Sequence, residues 1–164
     1  MRAEYQDVWF VAGKTIQGED KDVRLPFKRI SARAIIVRRR DGAVLGTLHR
    51  AGGRYALPGG ALEDGESTLQ AVRRELEEER IELVDPDDSV EEDIVVDYFG
   101  GYGELSVWHL FTVADANIGS SEENVESRWL GQDEDVWYPG MREKLILAIH
   151  QYRPELAEVS LKVD

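Results

Sequence analysis

Residues 60–82 read GALEDGESTLQAVRRELEEERIE. The glycine-rich opening suits a turn, and Ser67 with Gln70 three residues on has the spacing of a capping box, so a helix starts here. Leu69, Val72, Leu76 and Leu83 mark one apolar stripe along it. Residues three and four apart share a helix face, so Glu75, Glu78 and Glu79 converge, with Glu82 close to the same side. Carboxylates crowded on one face repel one another. A hard divalent cation such as Mg²⁺ prefers oxygen ligands and would relieve that repulsion. Glutamate also favours helices, and in a chain with 33 acids an acidic helix is ordinarily a solvated face. What separates the two readings is context: a Gly-rich turn ahead of the helix, with Glu66 and Arg74 at set distances.

Upstream, Ala34, Ile35, Ile36 and Val37 read as a buried strand closed by Arg38, Arg39 and Arg40. Asp41-Gly42 is a strong hairpin turn, and residues 43–48 return as its partner. The Gly-rich loop AGGRYALPGGALEDGE follows. Residues 8–11 form a short apolar run suited to a strand, and IQGEDKDVRLPF after it mixes Gly, Pro and charge like a loop or flap. Downstream, residues 93–98 and 105–113 read as strands joined through Gly100, Gly101 and Gly103. In the second, Leu105, Val107, His109, Phe111 and Val113 share a face by alternation. A polar loop, ADANIGSSEENVES, precedes Arg128, Trp129 and Leu130. A final helix starts near Pro139, which suits a first helical turn. It carries Met141, Leu145, Ala148, Ile149 and Tyr152 at helical spacing, and Pro154 stops it. Strands mixed with two helices predict an α/β fold, a sheet held between helices.

Length and composition agree with one domain over residues 1–164: an N-terminal strand and flap at 1–30, then a core at 31–152. The 20 basic and 33 acidic residues leave a net charge of −13, which repels a phosphate backbone and argues against long nucleic acid as partner. A local cation still overrides that field for a small phosphorylated compound. No run approaches the ~20 apolar residues of a membrane span, and the first residues lack a secretory layout. Cysteine is absent, which removes disulfides, thiol nucleophiles and thiolate metal sites and fits a cytoplasmic setting.

The same stretch resembles the Nudix box, G-x5-E-x7-R-E-U-x-E-E-x-G-U with U aliphatic. Gly60, Glu66, Arg74, Glu75, Leu76, Glu78 and Glu79 all fall in register. Leu57, Pro58 and Gly59 complete the LPGG entry common in that family, and Glu63, Gly65 and Ala71 are frequent there. The strand order around the box also fits the family's α/β/α sandwich with a mixed sheet. The departure is at the end, where Ile81 and Glu82 replace glycine and an aliphatic residue. A β-branched residue resists the left-handed conformation that glycine would supply. The helix is therefore expected to run on about a turn, or to exit differently, with Leu83 as apolar anchor.

The resemblance implies a metal-dependent pyrophosphohydrolase. Water attacks a phosphorus of a nucleoside diphosphate linked to another moiety, releasing a nucleoside monophosphate and a phosphorylated product. By the same resemblance Glu75, Glu78 and Glu79, helped by the Gly59 carbonyl, coordinate Mg²⁺ or Mn²⁺. Glu66 and Arg74 pair and hold Glu75 in place, an ordinary salt bridge being the plainer reading. Gly59 and Gly60 let the backbone approach metal and phosphate, although Pro-Gly-Gly is also simply a good turn. Family members take the general base from the box or from a later loop. Glu75 or Glu79 is favoured here, with Glu123 and Glu126, in a loop with Glu122, as the alternatives.

Further substrate contacts are candidates only. Arg50, beside His49, ends a strand near the loop and suits a phosphate. Tyr55, Tyr98, Phe99 and Trp108 suit a nucleobase, core packing being the commoner fate, and Tyr98 lies near where some dinucleoside-polyphosphate hydrolases carry a tyrosine. His109 reads as a hydrogen-bonded core histidine. A Nudix-fold sensor that binds a nucleotide or nucleotide sugar without cutting it is the alternative function, but such proteins often lose box acids that this chain keeps. Prenyl diphosphate isomerisation relies on a cysteine that is absent. An acidic α/β domain with a merely solvated helix face is the remaining reading. The group beyond the diphosphate stays open among ADP-ribose, sugar nucleotides, dinucleoside polyphosphates and damaged nucleoside triphosphates. Its readers are expected in residues 1–30, 100–104 and 115–127. The family's frequent dimers make a homodimer an expectation, with residues 8–11 as an exchanged strand.

Overall fold

Ala34, Ile35, Ile36 and Val37 are wholly buried in β3 (Arg29–Arg38), the middle strand of the sheet. In the computed structural model, residues 8–11, 14–17, 29–87, 93–98 and 104–161 are described, with side chains over 30–87 and 105–157. One edge of β3 pairs in parallel with β8 (Glu104–Val113) along ten residues, from Arg29 opposite Glu104 to Arg38 opposite Val113. The other edge is shared. At its far end Val37 faces Val44 of β4 (Val44–Leu48), across the turn in which Gly42 has φ +73°. At its near end residues 31–33 pair with β5 (Gly59–Ala61). The full order is β10 (Glu126–Leu130), β4, β3, β8, β7 (Asp93–Tyr98), with β5 alongside β3. Among the described strands of this sheet the β3–β8 pair is parallel and the other pairs are antiparallel, so the sheet is mixed. β1 (Val8–Val11) and β2 (Lys14–Gln17) form a separate ribbon. The rest of the expected N-terminal flap lies outside the described residues.

Helix α1 (Thr68–Glu78) begins with both halves of the capping box. Gln70 N–H donates to Ser67 Oγ at 3.1 Å, and Ser67 N–H donates to Gln70 Oε1 at 2.9 Å. The box satisfies two of the amides that a helix start leaves unpaired. Ala71, Val72, Glu75 and Leu76 are its buried residues.

The helix exit takes the second of the two expected courses and corrects the anchor. α1 does not run on: Glu79 caps it, Arg80 takes φ +59°, and Ile81 opens β6 (Ile81–Val84). Arg80 accepts the left-handed conformation in place of the family's glycine one residue later, at roughly 1–2 kcal/mol. That leaves Ile81 extended, and it buries to 5% exposure. Ile81, not Leu83, is the anchor; Leu83 is only partly buried. β6 pairs with β9 (Asp115–Ile118), which brings the following loop beside the end of α1.

The second helix layer is α2 (Met141–Tyr152), entered through Gly140 at φ +83°, and α3 (Pro154–Leu161). Among the described residues three helices stand where the sequence predicts two. The break falls at Arg153, and Pro154 opens α3 as a first-turn residue instead of only stopping α2. With α1 and the α2–α3 pair enclosing the sheet, the fold is an α/β/α sandwich. This coverage buries β8 on both sides: Ser106, Trp108, Leu110 and Thr112 are as enclosed as the alternating apolar set. Trp108, a stacking candidate, is a core residue whose Nε1 donates to Ser106 Oγ at 2.8 Å. His109 is also buried, 2.9 Å from Thr68 Oγ1 through Nε2. No helix among the described residues is long and apolar enough to cross a membrane.

Candidate metal centre and active site

The Gly-rich entry folds against the helix because two positions have no room for a side chain. Gly59 sits at φ +147°, and a Cβ there would collide with the Ala32 carbonyl and lie 2.7 Å from Arg33 Cα. On Gly60, a Cβ would strike Glu75 Oε1 and lie 2.8 Å from its Cδ. Backbone thus approaches the Glu75 carboxylate directly, as β5 requires when Gly60 pairs with Ala32.

Arg74 gathers the acids around this junction. Its Nε and NH2 donate to the two oxygens of Glu66 at 2.7 and 3.0 Å, a bidentate pair. NH1 donates to Glu75 Oε1 at 3.0 Å and to Glu78 Oε2 at 3.2 Å, and NH2 reaches the Ala61 carbonyl at 3.1 Å. Glu66 also accepts from the Glu63 amide at 2.8 Å. The Arg74 hydrogen bonds hold the Glu66 carboxyl below its usual range and keep Arg74 itself firmly charged. The sequence pairing of Glu66 with Arg74 is therefore one side of a four-way clamp.

Beyond the clamp, oxygens of Glu75, Glu78 and Glu123 lie within 4.8 Å of one another. Ligands about 2.1 Å from one small cation lie at most ~4.2 Å apart, so small rotations close this trio around Mg²⁺ or Mn²⁺. The donor set is all oxygen, as a hard cation prefers. Burial raises the Glu75 pKa, and the charges of Glu78 and Glu123 add to the shift against the opposing Arg74. Glu79 stands outside the trio, only 1% exposed. Burial, then the charge of Glu75, pushes its pKa up to about 8, with Asn124 and Arg33 pulling the other way. Its Oε2 has no hydrogen-bond partner among the described residues.

Glu123 reaches the helix because its loop is tied down at two points. Gly119 N–H donates to the Arg80 carbonyl at 2.8 Å. Ser121 Oγ accepts from the Glu123 amide at 3.1 Å and donates to the Glu78 carbonyl at 3.4 Å. Sequence reading passed over Ser121 and Asn124. The Ser-x-Glu spacing of a side-chain turn was the available signal for the first. Arg74, Glu77, Glu78, Arg80 and residues 120–123 line a cleft of about 830 Å³, so two of the trio face it.

The remaining candidates are scattered. Tyr55 and Glu126 do meet, but the Tyr55 hydroxyl donates to Glu126 Oε1, and the Arg128 guanidinium covers the Tyr55 ring 5.0 Å from its centre. With Tyr55 at 6% exposure, stacking on it would require Arg128 to move. Arg50 lies exposed in the bend after β4. Glu82, expected beside the acids, belongs to β6 and lines a different groove with Leu76, Ile81 and Leu83. Tyr98 ends β7; its side chain and Phe99 lie outside the described residues.

The family model of the NUDIX domain matches residues 28–145. No curated protein matches the chain in sequence. Among solved structures, an ADP-ribose pyrophosphatase from Streptococcus suis is similar at TM-score 0.60 and 20% identity, over 76% of this chain and 92% of that one. A MutT NUDIX hydrolase from Burkholderia pseudomallei is similar at TM-score 0.53 and 27% identity, over 71% and 95%. A bifunctional NMN adenylyltransferase/ADP ribose pyrophosphatase from Francisella tularensis, complexed with AMP and a Mn ion, is similar at TM-score 0.58 and 21% identity. The match covers 78% of this chain but only 42% of that protein.

Proposed function

This chain belongs to the NUDIX family, whose members act as hydrolases on phosphoanhydrides, and on that premise we propose that it is a metal-dependent pyrophosphohydrolase. Its substrate is a nucleoside diphosphate joined to another moiety, and its products are a nucleoside monophosphate and a phosphorylated remainder. The observation that carries this reading is the trio of Glu75, Glu78 and Glu123 oxygens within 4.8 Å of one another, on a wall that Gly60 leaves open. The complex with AMP and a Mn ion in the Francisella protein supports the choice of metal and ligand class.

Glu75, Glu78 and Glu123 would hold Mg²⁺ or Mn²⁺, with the Gly59 carbonyl completing the set. A divalent ion there neutralises diphosphate charge and makes water a better nucleophile. Arg74 keeps Glu75 and Glu78 aimed at one point through its hydrogen bonds to both. Glu79, enclosed behind Glu75 with one uncommitted oxygen, is the group we assign to accept the proton of the attacking water. Glu66 acts through Arg74 as a positioning residue. A homodimer and a cytoplasmic setting complete the reading, and sedimentation of the purified chain tests the first.

The deciding experiment is a hydrolysis screen over nucleoside-diphosphate compounds with Mg²⁺ or Mn²⁺, products identified by mass. The expected result is a nucleoside monophosphate, abolished by chelator and sharply reduced in Glu79→Gln. Tight nucleotide binding with no product over hours would favour the sensor reading instead.

A further inference from the structure

Arg80 occupies an unusual place in this site. A residue other than glycine held at φ +59° carries strain, and such strain collects at functional positions. Glycine would relieve it, yet the chain places a long cation there. The Arg80 stem crosses Gly119, where an added Cβ would lie 3.1 Å from Arg80 Cβ. Its guanidinium has no hydrogen-bond or ion-pair partner among the described residues. The cleft it lines is the one that Glu78 and Glu123 also line, and the other cation in that wall, Arg74, is already engaged by Glu66, Glu75 and Glu78. Glu77 and Glu122 share the wall and would repel an anion that no cation met. Ser120, on the same wall, adds a hydroxyl donor.

We propose that Arg80, with Ser120, forms a subsite for a phosphate lying beyond the scissile bridge, so that the chain favours substrates whose far moiety ends in phosphate over those ending in a neutral sugar. The inference rests on the hydrolase reading above and adds to it the charge of the group that the metal trio does not touch. A guanidinium suits this task because its planar donors match phosphate oxygens two at a time, which an ammonium cannot do.

The test compares a nucleoside triphosphate with a nucleoside diphosphate sugar of the same base in wild type, Arg80→Gly and Arg80→Lys. Arg80→Gly relaxes the backbone, so its melting temperature stays level or rises, which separates loss of function from loss of fold. The expected result is a ratio of kcat/KM, triphosphate over sugar, that falls roughly ten- to a hundred-fold in Arg80→Gly, as loss of a charge-assisted contact implies, with Arg80→Lys in between. An unchanged ratio overturns the subsite and leaves the hydrolase reading standing. If wild type turns over neither compound, the hydrolase reading is decided by the wider screen above, and calorimetry with inorganic pyrophosphate and Mg²⁺ decides the subsite. Binding at least ten-fold weaker in Arg80→Gly supports it, and equal binding overturns it.

Discussion

A Cβ at position 60 would occupy the space of the Glu75 carboxylate, so Gly60→Ala must push that side chain away from Glu78 and Glu123. The helix itself loses nothing, since position 60 lies outside it. The expected outcome is Mn²⁺ affinity lower by ten-fold or more with a melting temperature within a few degrees of wild type. Titration calorimetry and thermal denaturation together check it. Glu79 gives the second residue-level prediction. Its pKa rises from an ordinary 4.5 to about 8 because burial and the Glu75 charge penalise the anion. Between those values the folded, metal-free chain keeps a proton that the unfolded chain has released, so stability falls as pH rises. The contribution is fully present below pH 4.5 and lost once pH passes 8. Without metal, the melting temperature should therefore decline from pH 5 to 8.5, and Glu79→Gln should flatten the decline. Glu75 shifts upward as well and adds to the decline in both proteins, whereas Glu66 and Asp41 shift downward, so their effects fall at more acid pH. Parallel slopes in the two proteins would count against the assignment.

Among the elements, the loop between β9 and β10 matters most to the site. Ser121 fastens it to the last turn of α1 and sets Glu123 against the helix acids. Ser121→Ala should weaken Mn²⁺ binding roughly ten-fold, in line with losses of outer-shell support at metal sites, while Ser121→Thr retains most of it. Equal affinity in both would show that Glu123 holds its place without the latch. The latch to Glu78 was hidden from the sequence because it joins residues 43 positions apart. The elements set by local chemistry were legible: the Ser67–Gln70 box, the Asp41-Gly42 turn, and the apolar runs of β3 and β8. The helix exit was not, because either of two neighbours can take the left-handed conformation, and packing of Ile81 into the core decides between them. Pro154 does end α2, but the helix it opens was missed, since a proline fits the first turn of a new helix as well as it ends an old one. Box spacing brought Glu75 and Glu78 together from the sequence, whereas the third member of the trio depended on tertiary pairing of β6 with β9.

Over the whole molecule, a net charge of −13 would keep phosphates at a distance if charge acted uniformly. Screening limits that field to about 8–10 Å in physiological salt, so the groups lining the cleft govern binding. On the proposed function, the carboxylates of α1 and its neighbouring loop would require a cation before a diphosphate could approach. Titrating Mn²⁺ into wild type, Glu78→Gln and Glu123→Gln by calorimetry measures that requirement directly. One helix acid and one loop acid holding the same ion predict a site in wild type that weakens at least ten-fold in each variant. Wild-type affinity in both variants would contradict it.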